Sequence, residues 1–233
     1  MVVLAMAAHP DDIELGCAGT LAKYASRGDK VFMGSLTNGN VGRPDTDLPE
    51  MARIRKAELE ESARIINAEV IWMDVDDELS DVSVELRLKM TDVFRYCKPD
   101  LVITHAATDY HPDHRNCGQL VLDASPLACV PKIKRELPFL EKHFFIYYMD
   151  NAGGINFSPT EYVDITDTIE KKRRMFHCHK SQISYMKEVN GFDHTEVLDT
   201  MARFRGFAAG CRYAEGFTKF DAWYKGLACR ILP

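Results

Sequence analysis

The sequence contains no apolar stretch that approaches the roughly 20 residues required to span a bilayer. It also lacks the basic segment and small-residue cleavage site of a secretory signal peptide, because the first apolar run, residues 2–6, starts next to Met1. These absences predict a cytoplasmic protein with no membrane partner.

The cysteines lack any pattern that would give them a common role. They are odd in number and widely spaced, and no two of them form a Cys-x-x-Cys pair. The seven positions are Cys17, Cys97, Cys117, Cys129, Cys178, Cys211 and Cys229. A disulfide framework and a thiolate zinc site are therefore not expected, and most of these side chains are predicted to lie in the core.

Nucleotide and nucleic-acid signals are also missing. No Gly-x-Gly-x-x-Gly follows the first apolar run, because Gly16 and Gly19 fall inside the predicted first helix. The net charge is −6, and the Lys and Arg residues are scattered rather than gathered on one stripe. Nucleic-acid binding is not indicated, and a small-molecule partner is predicted instead.

What the sequence does contain is a regular alternation of strand and helix patterns. Strands are predicted at residues 2–6, 30–36, 70–73 and 101–104, separated by helices at 13–27, 49–66 and 84–97. This alternation predicts an α/β fold, in which helices cover both faces of a doubly wound, mostly parallel sheet.

The second half of the chain is less regular. The predicted elements are a helix at 113–128, strands at 143–149 and 162–165, and helices from 166 to 210. No internal repeat or linker divides the chain. Residues 1–233 are therefore predicted to form a single domain.

Two loops rich in His and Asp follow two of the predicted strands. The first is Ala8-His9-Pro10-Asp11-Asp12, and the second extends from Asp109 to Arg115 and includes His111, Asp113 and His114. Open α/β sheets place their sites at the carboxyl ends of strands, so the two loops can converge. An imidazole and a carboxylate together suit a zinc ion.

We predict that His9, Asp12 and His114 hold one zinc ion per subunit, or another divalent metal, with an open position left for water. Asp11 then lies beside the ion without binding it, which suits a general base. His111 could stabilise an oxyanion or protonate a leaving amine, and Asp113 could orient one of the histidines.

Structural explanations exist for the same residues. Asp11 or Asp12 could cap the next helix, and either loop alone would be an ordinary turn. Two such loops at two strand ends make a shared site the stronger interpretation. The remaining histidines are interpreted as polar or core side chains without a role in the site. These are His105, His143, His177 and His194.

The two motifs resemble those of the LmbE-like or PIG-L-type zinc-dependent N-acetylglucosamine deacetylases. The first motif continues with Glu14 and Gly16, and the second is His111-Pro112-Asp113-His114-Arg115. Further matches extend over nearly the whole chain. They are Arg55-x-x-Glu58, His179-Lys180-Ser181-Gln182, Arg205-Gly206 and Tyr213-Ala214-Glu215-Gly216-Phe217.

The resemblance implies a Rossmann-like fold, a single zinc held by the three residues named above, and Asp11 as the base in amide hydrolysis. In the family the arginine matching Arg55 contacts substrate, and the histidine matching His111 stabilises the tetrahedral intermediate. An ion pair between Arg55 and Glu58, and a loop-capping role for His111, are the structural alternatives.

Further candidates for substrate contact follow from the same comparison and from the loops. His179 and Gln182 could line the pocket or cap a helix, while Tyr213 and Glu215 are interpreted as packing or subunit-contact residues. Asn38 belongs to the loop after the second strand, and Tyr110 belongs to the second His/Asp loop. Where the family often has Leu-Gly, this chain has Ile66-Asn67, and Asn also tolerates a left-handed cap.

The sequence therefore predicts a hydrolase that removes acetyl from an N-acetylated amino sugar, similar to the deacetylases of the bacillithiol and mycothiol pathways. A metal-dependent amidase for a non-sugar or thiol-conjugate amide is the first alternative. A non-catalytic sugar- or nucleotide-binding module is the second. A homo-oligomer, trimer or hexamer, is expected from the resemblance, with Phe204, Phe207, Tyr213 and Phe217 either in an interface or in the core.

Overall fold

A computed structural model describes residues 1–221 and 231–233. Within these residues seven strands form one sheet. They are β1 (Val2–Ala7), β2 (Lys30–Thr37), β3 (Glu69–Val75), β4 (Leu101–His105), β5 (Phe145–Met149), β6 (Glu161–Asp164) and β7 (Ala214–Lys219). Their order is β3-β2-β1-β4-β5-β7-β6. β1 to β5 are parallel, and β7 is antiparallel to both β5 and β6.

Eight helices lie within the same residues. They are α1 (Asp12–Gly16), α2 (Ala18–Ser26), α3 (Leu48–Arg64), α4 (Val84–Cys97), α5 (Pro112–Ala128), α6 (Ile169–Phe176), α7 (Lys180–Asn190) and α8 (His194–Ala209). No helix in the described part of the chain combines the length and apolarity required to cross a membrane.

The helices cover both faces of the sheet because alternate residues of β1 belong to two separate apolar clusters. Val3 and Ala5 pack with α2 and α3, whereas Leu4 and Met6 pack with α4 and α5. The sequence of a strand that is buried on both faces is a continuous apolar run, as it is in β1. The predicted doubly wound α/β fold is confirmed.

The predicted helix over 13–27 is divided into α1 and α2 at Cys17, where φ is −148°. The buried carboxylate of Glu215 accepts the backbone N–H groups of Gly19 and Thr20, at 2.9 and 2.7 Å. These are donors that the first turn of a helix leaves free, so a side chain from β7 caps α2. β7 was not predicted from the sequence.

The structure also bears on the predictions for Asn67, for the cysteines and for four aromatic residues near the end of the chain. Asn67 adopts a left-handed conformation after α3, with φ of 56°. The six cysteines within the described residues are free, and Cys229 lies outside them. Tyr213 and Phe217 are buried, whereas Phe204 and Phe207 are 58% and 91% exposed on α8.

The site predicted from the sequence lies at the reversal in strand order. β1 is bordered by β2 on one side and by β4 on the other, and a crevice opens at their carboxyl ends. Gly118 allows α5 to pack closely there, because a Cβ atom at this position would lie 2.4 Å from the carbonyl oxygen of His105. The beginning of α5 is thereby held next to the loop that follows β1.

Candidate active site

The first His/Asp loop is folded by a local hydrogen bond. The backbone N–H of His9 donates to Oδ2 of Asp12 at 2.7 Å, and Nδ1 of the His9 ring lies 3.1 Å from the same oxygen. Asp12 is the first residue of α1, so its carboxylate lies at a helix N-terminus, where negative charge is favoured. The imidazole and the carboxylate therefore share one side of the loop.

The second loop adds a third donor to this pair. His114, in the first turn of α5, places Nε2 at 3.3 Å from Oδ1 of Asp12 and at 3.3 Å from Nδ1 of His9. Zinc with tetrahedral ligands at about 2.0–2.1 Å would separate its ligand atoms by about 3.3 Å. The three side chains predicted from the sequence thus bring donor atoms to this separation, with His9 next to Oδ2 and His114 next to Oδ1 of Asp12.

Further carboxylates surround the two histidines on their outer side. Oδ1 of Asp109 lies 3.1 Å from Nδ1 of His114, and Nε2 of His9 lies 3.2 Å from Asp77 and 3.5 Å from Asp113. Carboxylates in this position orient the ring of a metal-binding histidine. Of these carboxylates, only Asp113 was predicted from the sequence to have this role. Asp109 belongs to the same loop, and Asp77 to the acidic loop after β3.

His105 lies inside the site, although the sequence analysis interpreted it as a residue without a role there. Its Nε2 is 3.2 Å from Oδ2 of Asp12, and its ring stacks on His114 with centroids 3.9 Å apart. Asp12, His105 and His114 offer donor atoms within 4.8 Å of one another. Its position as the last residue of β4 was the available signal.

The charged groups in this cluster shift one another's pKa values. Burial opposes ionisation of Asp12, but His114, His9 and His105 hold its pKa well below the ordinary value. Burial likewise opposes the charge of His114, yet Asp12 and Asp109 raise its pKa to about 9. For His105, burial and the neighbouring His114 lower the pKa to about 4. The carboxylate of Asp12 is therefore ionised.

Asp11 pairs with Arg55. The side chain of Asp11 does not cap α1, and its Oδ1 accepts a hydrogen bond from Nη2 of Arg55 at 3.1 Å. Burial would raise the pKa of Asp11, but the Arg55 guanidinium outweighs this and lowers it. Glu58 instead accepts hydrogen bonds from the backbone N–H and hydroxyl of Ser181. Arg55 therefore serves Asp11 rather than an ion pair with Glu58.

His111 both caps a helix and faces the site. The backbone N–H of Asp113 donates to Nδ1 of His111 at 3.3 Å, which satisfies a free donor at the start of α5. A ring nitrogen that accepts this bond carries no proton, so the neutral ring carries its proton on Nε2. The capping and functional interpretations of His111 are therefore compatible.

A cavity of about 310 Å³ opens over these groups, at the small end of the range for small-molecule sites. Its wall includes the three donors, Asp11, Arg55, His111 and several residues from α7 and α8. Among the substrate-contact candidates, Tyr110 and Gln182 line it. Within the described residues, Asn38 and His179 do not. Asn38 donates to Asp74 and Asp76, and His179 is buried with Nε2 at 3.2 Å from Glu14.

His194 is a second histidine that the sequence analysis left outside the site. It is the first residue of α8 and lines the same cavity. Its Nε2 lies 3.0 Å from the amide of Asn190 at the end of α7. Because α7 and α8 reach the cavity only through tertiary packing, nothing in the local sequence around His194 marked it.

Comparison with known proteins places this arrangement in a family. The family model described as PIG-L, GlcNAc-PI de-N-acetylase, matches residues 4–125, which include both His/Asp loops. The chain belongs to the PIG-L family. Over 225 residues this PIG-L protein is 32% identical to the diacetylchitobiose deacetylase of Thermococcus kodakarensis, and the match covers 92% of this chain and 81% of the relative.

Solved structures agree with that assignment. The N,N'-diacetylchitobiose deacetylase of Pyrococcus horikoshii, in complex with its inhibitor MPG, has a TM-score of 0.81 at 30% identity, and the match covers 94% of this chain and 83% of that one. GalB, the 4-carboxy-2-hydroxymuconate hydratase of Pseudomonas putida, has a TM-score of 0.83 at 22% identity, and the match covers 98% of this chain and 100% of that one. The likeness to GalB concerns the fold alone. The predicted enzyme class, a hydrolase of carbon–nitrogen bonds, is confirmed for the PIG-L protein.

Proposed function

We propose that this protein is a metal-dependent N-deacetylase that removes acetyl from an N-acetylglucosamine-type conjugate. The observation that carries the proposal is the donor set of His9, Asp12 and His114, at mutual distances of 3.1–3.3 Å, with the ionised Asp11 beside it in one cavity. The deacetylases among its relatives support the same reaction.

His9, Asp12 and His114 would hold zinc or another divalent ion. Such an ion, when bound, polarises the amide carbonyl and lowers the pKa of water. Asp109 and Asp113 would fix the orientation of the two imidazoles from behind.

The remaining groups would handle the proton and the developing charge. Asp11 accepts the proton of the attacking water as the new C–O bond forms, and Arg55 keeps the carboxylate ionised and aligned. The N–H at Nε2 of His111 can donate to the oxygen of the tetrahedral intermediate. The C–N bond then breaks, and Asp11 returns the proton to the leaving nitrogen. The products are acetate and a free amine.

The substrate is proposed from the relatives and from the dimensions of the cavity. Two relatives are diacetylchitobiose deacetylases, whose names specify an N-acetylated sugar. A cavity of about 310 Å³ suits one sugar ring more than a polymer segment. An N-acetylated amino sugar is therefore the proposed small-molecule partner.

The decisive experiment combines metal analysis with an acetate-release assay on a panel of acylated amines. N-Acetylglucosamine conjugates should release acetate fastest. Preference for non-sugar amides would favour the amidase alternative, and binding without turnover would favour a sugar-binding module. Asp11→Asn should retain its metal and lose about 10²- to 10⁴-fold in kcat. Asp167→Asn, an exposed aspartate that pairs with Lys23, is the matched control and should retain full activity.

The predicted cytoplasmic homo-oligomer, a trimer or hexamer, belongs to the same proposal. Phe204 and Phe207 support the assembly, because they lie three residues apart on α8 and are 58% and 91% exposed, so that together they present adjacent apolar surface. Light scattering of the purified protein should give a mass of three or six subunits. Phe207→Asp should reduce that mass, and a monomeric wild type would contradict the proposed assembly.

A further inference from the structure

The end of β5 contributes a buried ion pair that the mechanism above does not use. Asp150 follows the last residue of β5, and Nε of Arg205 on α8 donates to its Oδ2 at 2.6 Å. The two residues are only 7% and 8% exposed. The motif that begins at Arg205 was part of the family resemblance, yet the catalytic groups give it no role.

Asp150 is part of the wall of the active-site cavity. It lines the cavity together with Asn151, directly after β5, the strand that pairs with β4. Gly16 allows the end of β5 to approach α1, because a Cβ atom there would lie 2.7 Å from Sδ of Met149 and 3.2 Å from the carbonyl oxygen of Asp150. The carboxylate is therefore held beside the helix that begins with Asp12.

The two carboxylate oxygens of Asp150 are satisfied unequally. Oδ2 is bonded to Arg205, whereas Oδ1 is buried and has no hydrogen-bond partner among the described residues. A buried acceptor without a partner costs about 1–3 kcal/mol, so such groups usually await a ligand or an ordered water. Burial also raises the pKa of Asp150 against the opposing effect of Arg205.

We propose that Oδ1 of Asp150 accepts a hydrogen bond from a ring hydroxyl of the sugar, and that Arg205 is the positioning residue that holds this carboxylate in place. The inference rests on the proposed function and adds a specificity determinant to it. Arg205 already neutralises the carboxylate, so a neutral hydroxyl is a better donor here than a substrate ammonium group. A non-sugar acetamide would leave Oδ1 unpaired and would be a poorer substrate.

The test combines removal of the Asp150 side chain with removal of single hydroxyl groups from the substrate. Acetate release is measured for methyl N-acetylglucosaminide and its 3-, 4- and 6-deoxy analogues, with wild type and Asp150→Ala. In the wild type, one deoxy analogue should lose about 10- to 150-fold in kcat/KM, the range for a hydrogen bond to a charged group. Asp150→Ala should lose a similar factor on the parent sugar and nothing further on that analogue.

Two results would overturn the inference while leaving the deacetylase proposal intact. One is a wild type that accepts every deoxy analogue with less than a twofold loss, a measurement that requires no variant. The other is an Asp150→Ala or Asp150→Ser protein with the same losses across the analogues as the wild type. A wild type that deacetylates only non-sugar amides would overturn both proposals.

Controls separate recognition from structural damage. Asp164→Ala, an exposed aspartate at the end of β6, should reproduce the wild-type analogue profile. Arg205→Lys should retain a reduced sensitivity to the same analogue, whereas Arg205→Met should lose it. Metal content should change less than twofold in both Arg205 variants, which a general loss of structure would not allow.

Discussion

Two buried clusters of ionised side chains contact the same short helix, α1, and they are built in opposite ways. In the first, Glu215 accepts from Nζ of Lys172 at 2.6 Å and from two backbone N–H groups, and Lys172 also donates to the carbonyl oxygen of Leu15. In the second, His9, Asp12 and His114 turn three acceptor-bearing groups toward one another. The first cluster is complete without a ligand, whereas the second would be completed by the cation proposed above.

This difference indicates which buried charges stabilise the fold and which serve the chemistry. A satisfied pair contributes to structure, because every donor and acceptor that it removes from water is paired again. Acceptor groups that crowd around one point, as in the cluster of His9, Asp12 and His114, would be stabilised by a metal ion that binds between them. Substitutions in the two clusters should therefore separate stability from activity.

The largest expected effect is on the cluster formed by His9, Asp12 and His114, here called the crowded cluster. Asp12→Asn removes one ligand charge and should lower both metal content and activity, the latter by roughly 10³-fold, because the electrostatic contribution of the ion is worth several kcal/mol. Chelation should lower the Tm of the wild type, since the ion binds only the folded state. The Tm of Asp12→Asn should not respond to the chelator. Undiminished metal content in this variant would refute the ligand assignment.

The next largest effect concerns the cluster of Lys172 and Glu215, here called the satisfied cluster. A substitution there should lower the free energy of unfolding and leave activity unchanged. Lys172→Met leaves the buried Glu215 carboxylate without its cation and should cost about 3–5 kcal/mol in urea unfolding. The neighbouring Lys171→Met removes an exposed lysine and should cost under about 0.5 kcal/mol. The kcat of the folded Lys172→Met protein should equal that of the wild type, and a large loss would place Lys172 in the active site.

The two clusters were not equally visible in the sequence. His9, Asp11 and Asp12 lie within four consecutive residues after an obvious strand, and His114 follows a second one, so the rule for strand ends was enough to bring them together. Glu215 meets Gly19 across 196 positions of sequence, and no local pattern encodes that pairing. The break between α1 and α2 went unpredicted for the same reason.

His105 shows the same limit inside the site. It ends β4 and was visible as a strand-end histidine, but its approach to Asp12 depends on the pairing of β4 with β1. The backbone N–H of Ala8 donates to Nε2 of His105 at 3.1 Å, a contact between residues 97 positions apart. The sequence identified the loops at the carboxyl ends of the strands, and the strand order determined which side chains join them.

A smaller effect is expected for Asp109, the carboxylate behind His114 in the crowded cluster. Asp109→Asn keeps the shape of the side chain that faces Nδ1 of His114 but removes its charge. Metal affinity should fall by about 10- to 100-fold, the usual cost of losing a carboxylate behind a histidine ligand. Equilibrium dialysis against a competing chelator measures this directly. Affinity equal to that of Asp45→Asn, an exposed control, would show that Asp109 does not support the ligand.

The smallest effect concerns a third cluster that is only partly satisfied. Glu14 is fully buried on α1, with Ser62 donating to Oε1 and His179 at 3.2 Å, while Oε2 has no partner among the described residues. Ser62→Ala should cost about 1–2 kcal/mol in unfolding free energy, because a second acceptor becomes less well satisfied. Ser125→Ala, whose hydroxyl donates to the carbonyl oxygen of Leu122 within α5, should cost less than about 0.5 kcal/mol.

Activity measured on the same Ser62→Ala protein decides to which of the two classes this third cluster belongs. Glu14 lies two residues after Asp12, and His179 exerts a charge effect on Asp11 that lowers its pKa. If the cluster resembles the Lys172 and Glu215 pair, the kcat of the folded variant stays within twofold of the wild type. A tenfold loss of kcat with unchanged metal content would instead show that Glu14 and His179 hold Asp11 in position for proton transfer.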